Sequence, residues 1–107
     1  MRVSTAARYA IAGALSWNSV PHAVIAATGR RNRTPFGRQS PPAANALWSL
    51  LNLAVAALLI ARADRAADAD GEDPASWLLP FEVGGLAWTL FGVVYEWRQR
   101  PPRRRRR

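Results

Sequence analysis

The sequence predicts an all-α fold, a three-helix transmembrane hairpin bundle with its N-terminus outside, its C-terminus inside and a disordered basic tail. Three observations carry that expectation. Residues 41–61 contain no charge and eight Leu, Ile or Val, long enough for a helix to cross a bilayer, which takes roughly 20 apolar residues. Two more nearly charge-free stretches flank it: residues 9–29 have none, and Glu82 alone interrupts residues 75–95. All 15 basic residues are arginines, placed at the boundaries of these stretches. The mean hydropathy of −0.13 hides this segregation, because an aqueous fold needs polar faces within each run.

Taken in order, residues 1–8 are a short polar start. The first span, about residues 9–29, has five Ile, Leu or Val, so its insertion drive is weaker than that of the second. Ser16, Asn18, Ser19 and His22 make its middle polar, and Pro21 removes one helix hydrogen bond. A secretory signal peptide is the rival reading, with Arg2 and Arg8 as its basic region. Trp17, Asn18, Pro21 and His22 fit that reading poorly, and whether the span is cleaved stays open.

Residues 28–40 read as a loop, punctuated by Gly29, Pro35 and Gly37. Pro41 and Pro42 suit the start of the second span, about residues 41–61. Residues 62–74 carry five acids against two arginines and read as a solvated loop. Asp68, Asp70 and Gly71 resemble only a fragment of a Ca²⁺ loop, with the glycine out of place. Asp73 and Pro74 suit a helix start, and the third span follows over about residues 75–97. Pro80 is expected to bend it near its outer end. Residues 1–97 thus form one membrane domain, and residues 98–107 a disordered cytoplasmic tail.

With three spans, one side holds four arginines and the other eleven. Positive segments stay cytoplasmic, which sets the orientation. Tyr9 and Trp77 are expected at the outer interface, Tyr95 and Trp97 at the inner one. Arg103, Arg104, Arg105, Arg106 and Arg107 are expected to meet anionic lipid headgroups, at about 1 kcal/mol per residue. Nucleic acid is not the expected partner, since the tail offers no aromatic side chain for base stacking.

The residues Asn18-Ser-Val-Pro21-His22, Thr34-Pro35-Phe36 and Asn45-Ala-Leu-Trp48-Ser-Leu-Leu-Asn52 resemble a pattern found in a family of small, uncharacterised bacterial membrane proteins. It runs N-x-x-P-H, T-P-F, N-x-x-W-x-x-x-N and covers roughly the first half of the chain. Ala23 stands where the pattern has an aromatic and Ser49 where it has glycine. The resemblance implies three membrane helices in a bacterial plasma membrane and no particular activity.

Asn18, His22, Asn45, Asn52 and Glu82 are the polar groups of the expected membrane interior. Asn18 and His22 share a helix face, as do Asn45, Ser49 and Asn52. Counted from the outer ends, Asn18 and Asn52 lie at the same depth, about 13 Å. His22, Trp48 and Trp88 lie about 20 Å in, so His22 is expected to bond a backbone carbonyl or the Trp48 indole. Gly85, Thr89 and Gly92 line a face of the third helix suited to a close-packed partner. His22 stands alone, so no metal site is expected. No cofactor is expected, and no nucleophile lies beside a base, so the chain does not read as an enzyme. The expected role is an accessory subunit or homo-oligomer acting through helix contacts. The alternative is a component of a proton- or cation-coupled transporter or channel using Asn18, His22 and Glu82.

Overall fold

The computed structural model describes residues 1–100. Helix α1 spans Val3–Ala27, strands β1 and β2 span Asn32–Thr34 and Gly37–Ser40, and helices α2 and α3 span Pro42–Ala69 and Leu78–Gln99. Arg103 to Arg107, the expected headgroup contacts, lie outside the described residues.

α1 ends where Gly29 follows Thr28 with φ of 67°. The amides of Gly29 and Arg30 turn back to the carbonyls of Ala26 and Ile25, satisfying two carbonyls that the helix end leaves free. The same closure ends α2. Gly71 has φ of 68°, and the amides of Gly71 and Glu72 bond the carbonyls of Asp68 and Ala67. Only a residue without Cβ takes this backbone cheaply, so Gly71 serves a helix end rather than a cation loop.

Several expectations change. Residues 28–40 form an antiparallel hairpin, with Asn32 opposite Ser40 and Thr34 opposite Gly37, because Thr34 and Ser40 join their hydroxyls at 2.6 Å across it. α2 runs through the acidic segment to Ala69. Alanines at 61, 63, 66, 67 and 69 are strong helix formers, and Ala63 and Ala67 are buried against α1. Asp73 caps a separate turn, accepting from the Ala75 amide at 2.7 Å, and α3 starts only at Leu78. Pro80 therefore falls in the first turn of α3, where no helix hydrogen bond is lost and no bend is required.

α1 is the middle element. It packs antiparallel to α2 and parallel to α3, while α2 and α3 share no substantial interface. α1 is thus the shared partner, and α2 and α3 do not close a triangle with each other.

The N-terminal segment is fastened to the far end of α2. Tyr9 is 2% exposed and its hydroxyl donates to Asp64 Oδ1 at 2.6 Å, so it is an interhelical contact and not the interface marker expected. The Met1 amino group pairs with Glu72 at 2.7 Å, and Arg2 Nε with Asp70 Oδ2 at 3.1 Å. The acidic segment supplies the counter-charges of the chain start.

Burial is inverted relative to a water-soluble domain. Thr5, Ser19, His22, Asn45, Ser49 and Asn52 are buried, whereas Leu79 is 73% and Leu50 64% exposed. α2 and α3 are each long and apolar enough to cross a membrane. α1 has the length but not the composition, because its polar residues turn toward α2.

Candidate functional site

The polar side chains between the helices form two layers, the first part-exposed on its α3 side and the second buried. In the first, Trp88 Nε1 on α3 donates to Asn18 Oδ1 at 3.0 Å. Asn18 Nδ2 on α1 stands 3.4 Å from Asn52 Oδ1, a long and weak contact. Asn52 Nδ2 then donates to the Trp48 carbonyl within α2 at 2.7 Å. One connected line thus crosses all three helices. Ser49 Oγ extends the α1–α2 contact by donating to the Ser19 carbonyl at 2.8 Å.

The second layer centres on Asn45, which is fully buried. Its Nδ2 donates to the carbonyls of Ser40 at 3.0 Å and Pro41 at 3.2 Å. Two carbonyl acceptors fix which end of the amide carries nitrogen. Its Oδ1 therefore accepts from His22 Nδ1, 2.8 Å away, which places the proton of a neutral imidazole on Nδ1. His22 accordingly pairs with Asn45, not with a backbone carbonyl or the Trp48 indole as expected. The Trp48 ring instead meets Phe36 of the hairpin edge-on, centroids 6.3 Å apart. Asn45 thus ties α1, the hairpin and the start of α2 at one point.

The residues carrying the N-x-x-P-H, T-P-F and N-x-x-W-x-x-x-N pattern converge here. Asn18 meets Asn52, His22 meets Asn45, Thr34 closes the hairpin, and Phe36 packs on Trp48. Antiparallel packing of α1 and α2 brings positions far apart in sequence to common levels.

Glu82 does not join the layer. It is exposed, with no hydrogen bond or ion pair among the described residues. It lies six residues from Trp88, about 9 Å along the helix, and outside the α1 contact.

The expected packing face of α3 is also redistributed. Gly85 is buried by α1 itself, since a Cβ there would overlap the Trp17 indole. The closest crossing uses two glycines the sequence reading passed over. A Cβ on Gly13 would overlap the Phe81 carbonyl, and one on Gly84 the Ala10 carbonyl. The available signal was the small pair Ala10 and Gly13 opposite a Gly84-Gly85 doublet. Past this crossing α1 and α3 diverge, and Thr89 and Gly92 line the resulting cavity. Ser19 and Thr34 stand in the sequence as a polar residue and a pattern residue without a partner, and Ser40 carries no signal there, since single hydroxyls have no period.

Among the described residues no three His, Cys, Asp or Glu side chains stand together as a metal site would need. The arrangement offers cohesion. The Asn18, Asn45 and Asn52 amides and the Trp88 indole each have a partner, and the Asn45 and Asn52 amides end on backbone carbonyls.

A double-mutant cycle tests that role. Asn18→Leu alone leaves the buried Asn52 Oδ1 without its partner and also frees the part-exposed Trp88 indole. It is expected to cost about 1–2 kcal/mol. Asn18→Leu with Asn52→Leu should cost less than the sum of the two single changes, with a coupling of about 0.6 kcal/mol. Reversible unfolding in mixed micelles measures both. Strict additivity would remove Asn18–Asn52 as an interaction.

No family model, curated protein or solved structure matches this chain.

Proposed function

We propose that the chain is a multi-pass protein of a bacterial plasma membrane that works through its helix surfaces, as an accessory subunit or a homo-oligomer. The inverted burial carries the reading. In water, exposed Leu50, Leu79, Leu90 and Val93 would form far more apolar surface than a soluble monomer tolerates. In a bilayer the same residues face lipid, and the polar ones are shielded between helices. All three helices cross in this reading, α1 included. Its low hydropathy is what a helix between two others permits, since one of its faces never meets lipid.

The internal hydrogen bonds favour a contact role over conduction. Asn18, Asn45, Asn52 and His22 are engaged with one another and with backbone, while Glu82 stands apart. A relay needs titrating groups in sequence, each within reach of the next.

Three measurements test the proposal. The protein should stay with the membrane under alkaline carbonate, and a reporter fused after Arg107 should be active only inside the cell. Extraction into the soluble fraction, or an external reporter, sinks the membrane and orientation readings respectively. In mild detergent the chain should migrate as a species larger than its 11.8 kDa plus micelle. A monodisperse monomer with no copurifying membrane protein contradicts the contact role.

A further inference from the structure

α1 and α3 touch most closely at Gly13 and Gly84 and are held apart further along by the Trp17 and Trp88 indoles. Toward the hairpin they flank an open-sided cavity of about 1040 Å³. Ligand pockets commonly run about 300–1,000 Å³, so this one admits a headgroup and the upper part of acyl chains. Its wall is apolar and aromatic, with Val20, Phe91, Val93 and Trp97 among the lining residues. Its polar end carries Arg33, Arg100 and Glu96.

Arg33 reaches across from the hairpin and donates through Nη1 to the Tyr95 hydroxyl at 2.7 Å. A guanidinium has five donor hydrogens, so most remain for another group. Among the described residues neither Arg33 nor Arg100 forms an ion pair. An apolar recess that ends in two arginines matches an amphiphile whose charged group is a phosphate, which arginine can bind with two parallel hydrogen bonds. An apolar helix from another protein would cover the wall but leave two cations against the single carboxylate of Glu96.

We propose that this cavity seats one anionic phospholipid from the hairpin-side leaflet, its phosphate on Arg33 and Arg100 and its acyl chains along the aromatic wall of α3. Basic pockets between membrane helices recognise anionic headgroups in this way. The site rests on the membrane reading above and is distinct from the arginine tail. Glu96 opposes the anion and so limits its affinity.

The test uses the full chain reconstituted in phosphatidylcholine vesicles with a minor fraction of phosphatidylglycerol, either lipid carrying brominated chains. Quenching of tryptophan fluorescence reports contact, since Trp17, Trp88 and Trp97 line the cavity. Brominated phosphatidylglycerol should quench several-fold more per lipid than brominated phosphatidylcholine. Arg33→Gln and Arg100→Gln should each reduce that preference about fivefold at most, and Glu96→Gln should raise it. Gly92→Leu narrows the recess without touching any charge, and a Cβ at Gly92 meets nothing within 4 Å. It should weaken the preference while the protein still inserts. A preference that survives Gly92→Leu undiminished but vanishes in about 1 M salt is surface attraction, because exposed charges are then screened beyond about 3 Å, and overturns the site. Equal quenching by both lipids in inserted protein overturns it as well. A chain that fails to float with the vesicles overturns the membrane reading itself.

Discussion

Asn45→Leu is expected to destabilise the protein by about 3 kcal/mol, the largest loss from any single polar side chain. Leucine branches as asparagine does and is larger, so none of this is a cavity. The loss comes from stranded partners. The His22 Nδ1 proton loses its acceptor at 2.8 Å, and the Ser40 carbonyl loses its donor at 3.0 Å. Each buried group left unsatisfied costs about 1–3 kcal/mol. The Pro41 carbonyl keeps the Asn45 backbone amide and adds little. Hydrogen bonds between membrane helices average about 0.6 kcal/mol and reach about 1.7, so the His22 contact alone cannot account for the total. The hairpin must contribute the remainder.

The same reasoning predicts a partial rescue. His22→Phe removes the stranded imidazole, so His22→Phe with Asn45→Leu should be milder than the two single losses added together. Reversible unfolding in mixed micelles measures all three variants. An Asn45→Leu protein within about 0.5 kcal/mol of the parent would show that the hairpin does not depend on this amide. That is the scale of an ordinary surface change.

Gly84→Leu is expected to separate α3 from α1. Even the first carbon of the new side chain would overlap the Ala10 carbonyl, and backbone cannot swing aside as a side chain can. The helices must move apart by more than an ångström or so, since carbon and oxygen rest about 3.3–3.6 Å apart. That movement stretches the Trp88–Asn18 hydrogen bond, now 3.0 Å, and loosens Trp17 on Gly85. Overpacking typically costs about 1–3 kcal/mol, occasionally more, and the loss here should sit at the upper end. Gly92→Ala is the internal comparison, expected within about 0.5 kcal/mol because its Cβ meets open space. If Gly84→Leu proves as mild as Gly92→Ala, the crossing does not set the α1–α3 distance.

Much of the architecture was legible in the chain. Span length and charge segregation announce three helices, since a helix in hydrocarbon must run about 20 residues without charge. The meeting of Asn18 and Asn52 follows from two antiparallel helices rising about 1.5 Å per residue. Less legible were the elements held by single contacts. The hairpin depends on Thr34 and Ser40 meeting across a turn. The extension of α2 depends on Ala63 and Ala67 finding α1 behind them. Neither leaves a period in the sequence.

By itself, then, the sequence determined that there are three helices and which of Asn18, His22, Asn45, Ser49 and Asn52 share a helix face, because periodicity and hydropathy are local properties. The tertiary structure alone decided who partners whom. It gave His22 to Asn45 rather than Trp48, and Tyr9 to Asp64 rather than the interface. It left Glu82 outside the layer and turned Gly85 inward against Trp17. Those outcomes depend on how closely two helices approach and which way they diverge. Gly13 and Gly84 fix that by the absence of side chains, a steric fact that exists only once both backbones are in place.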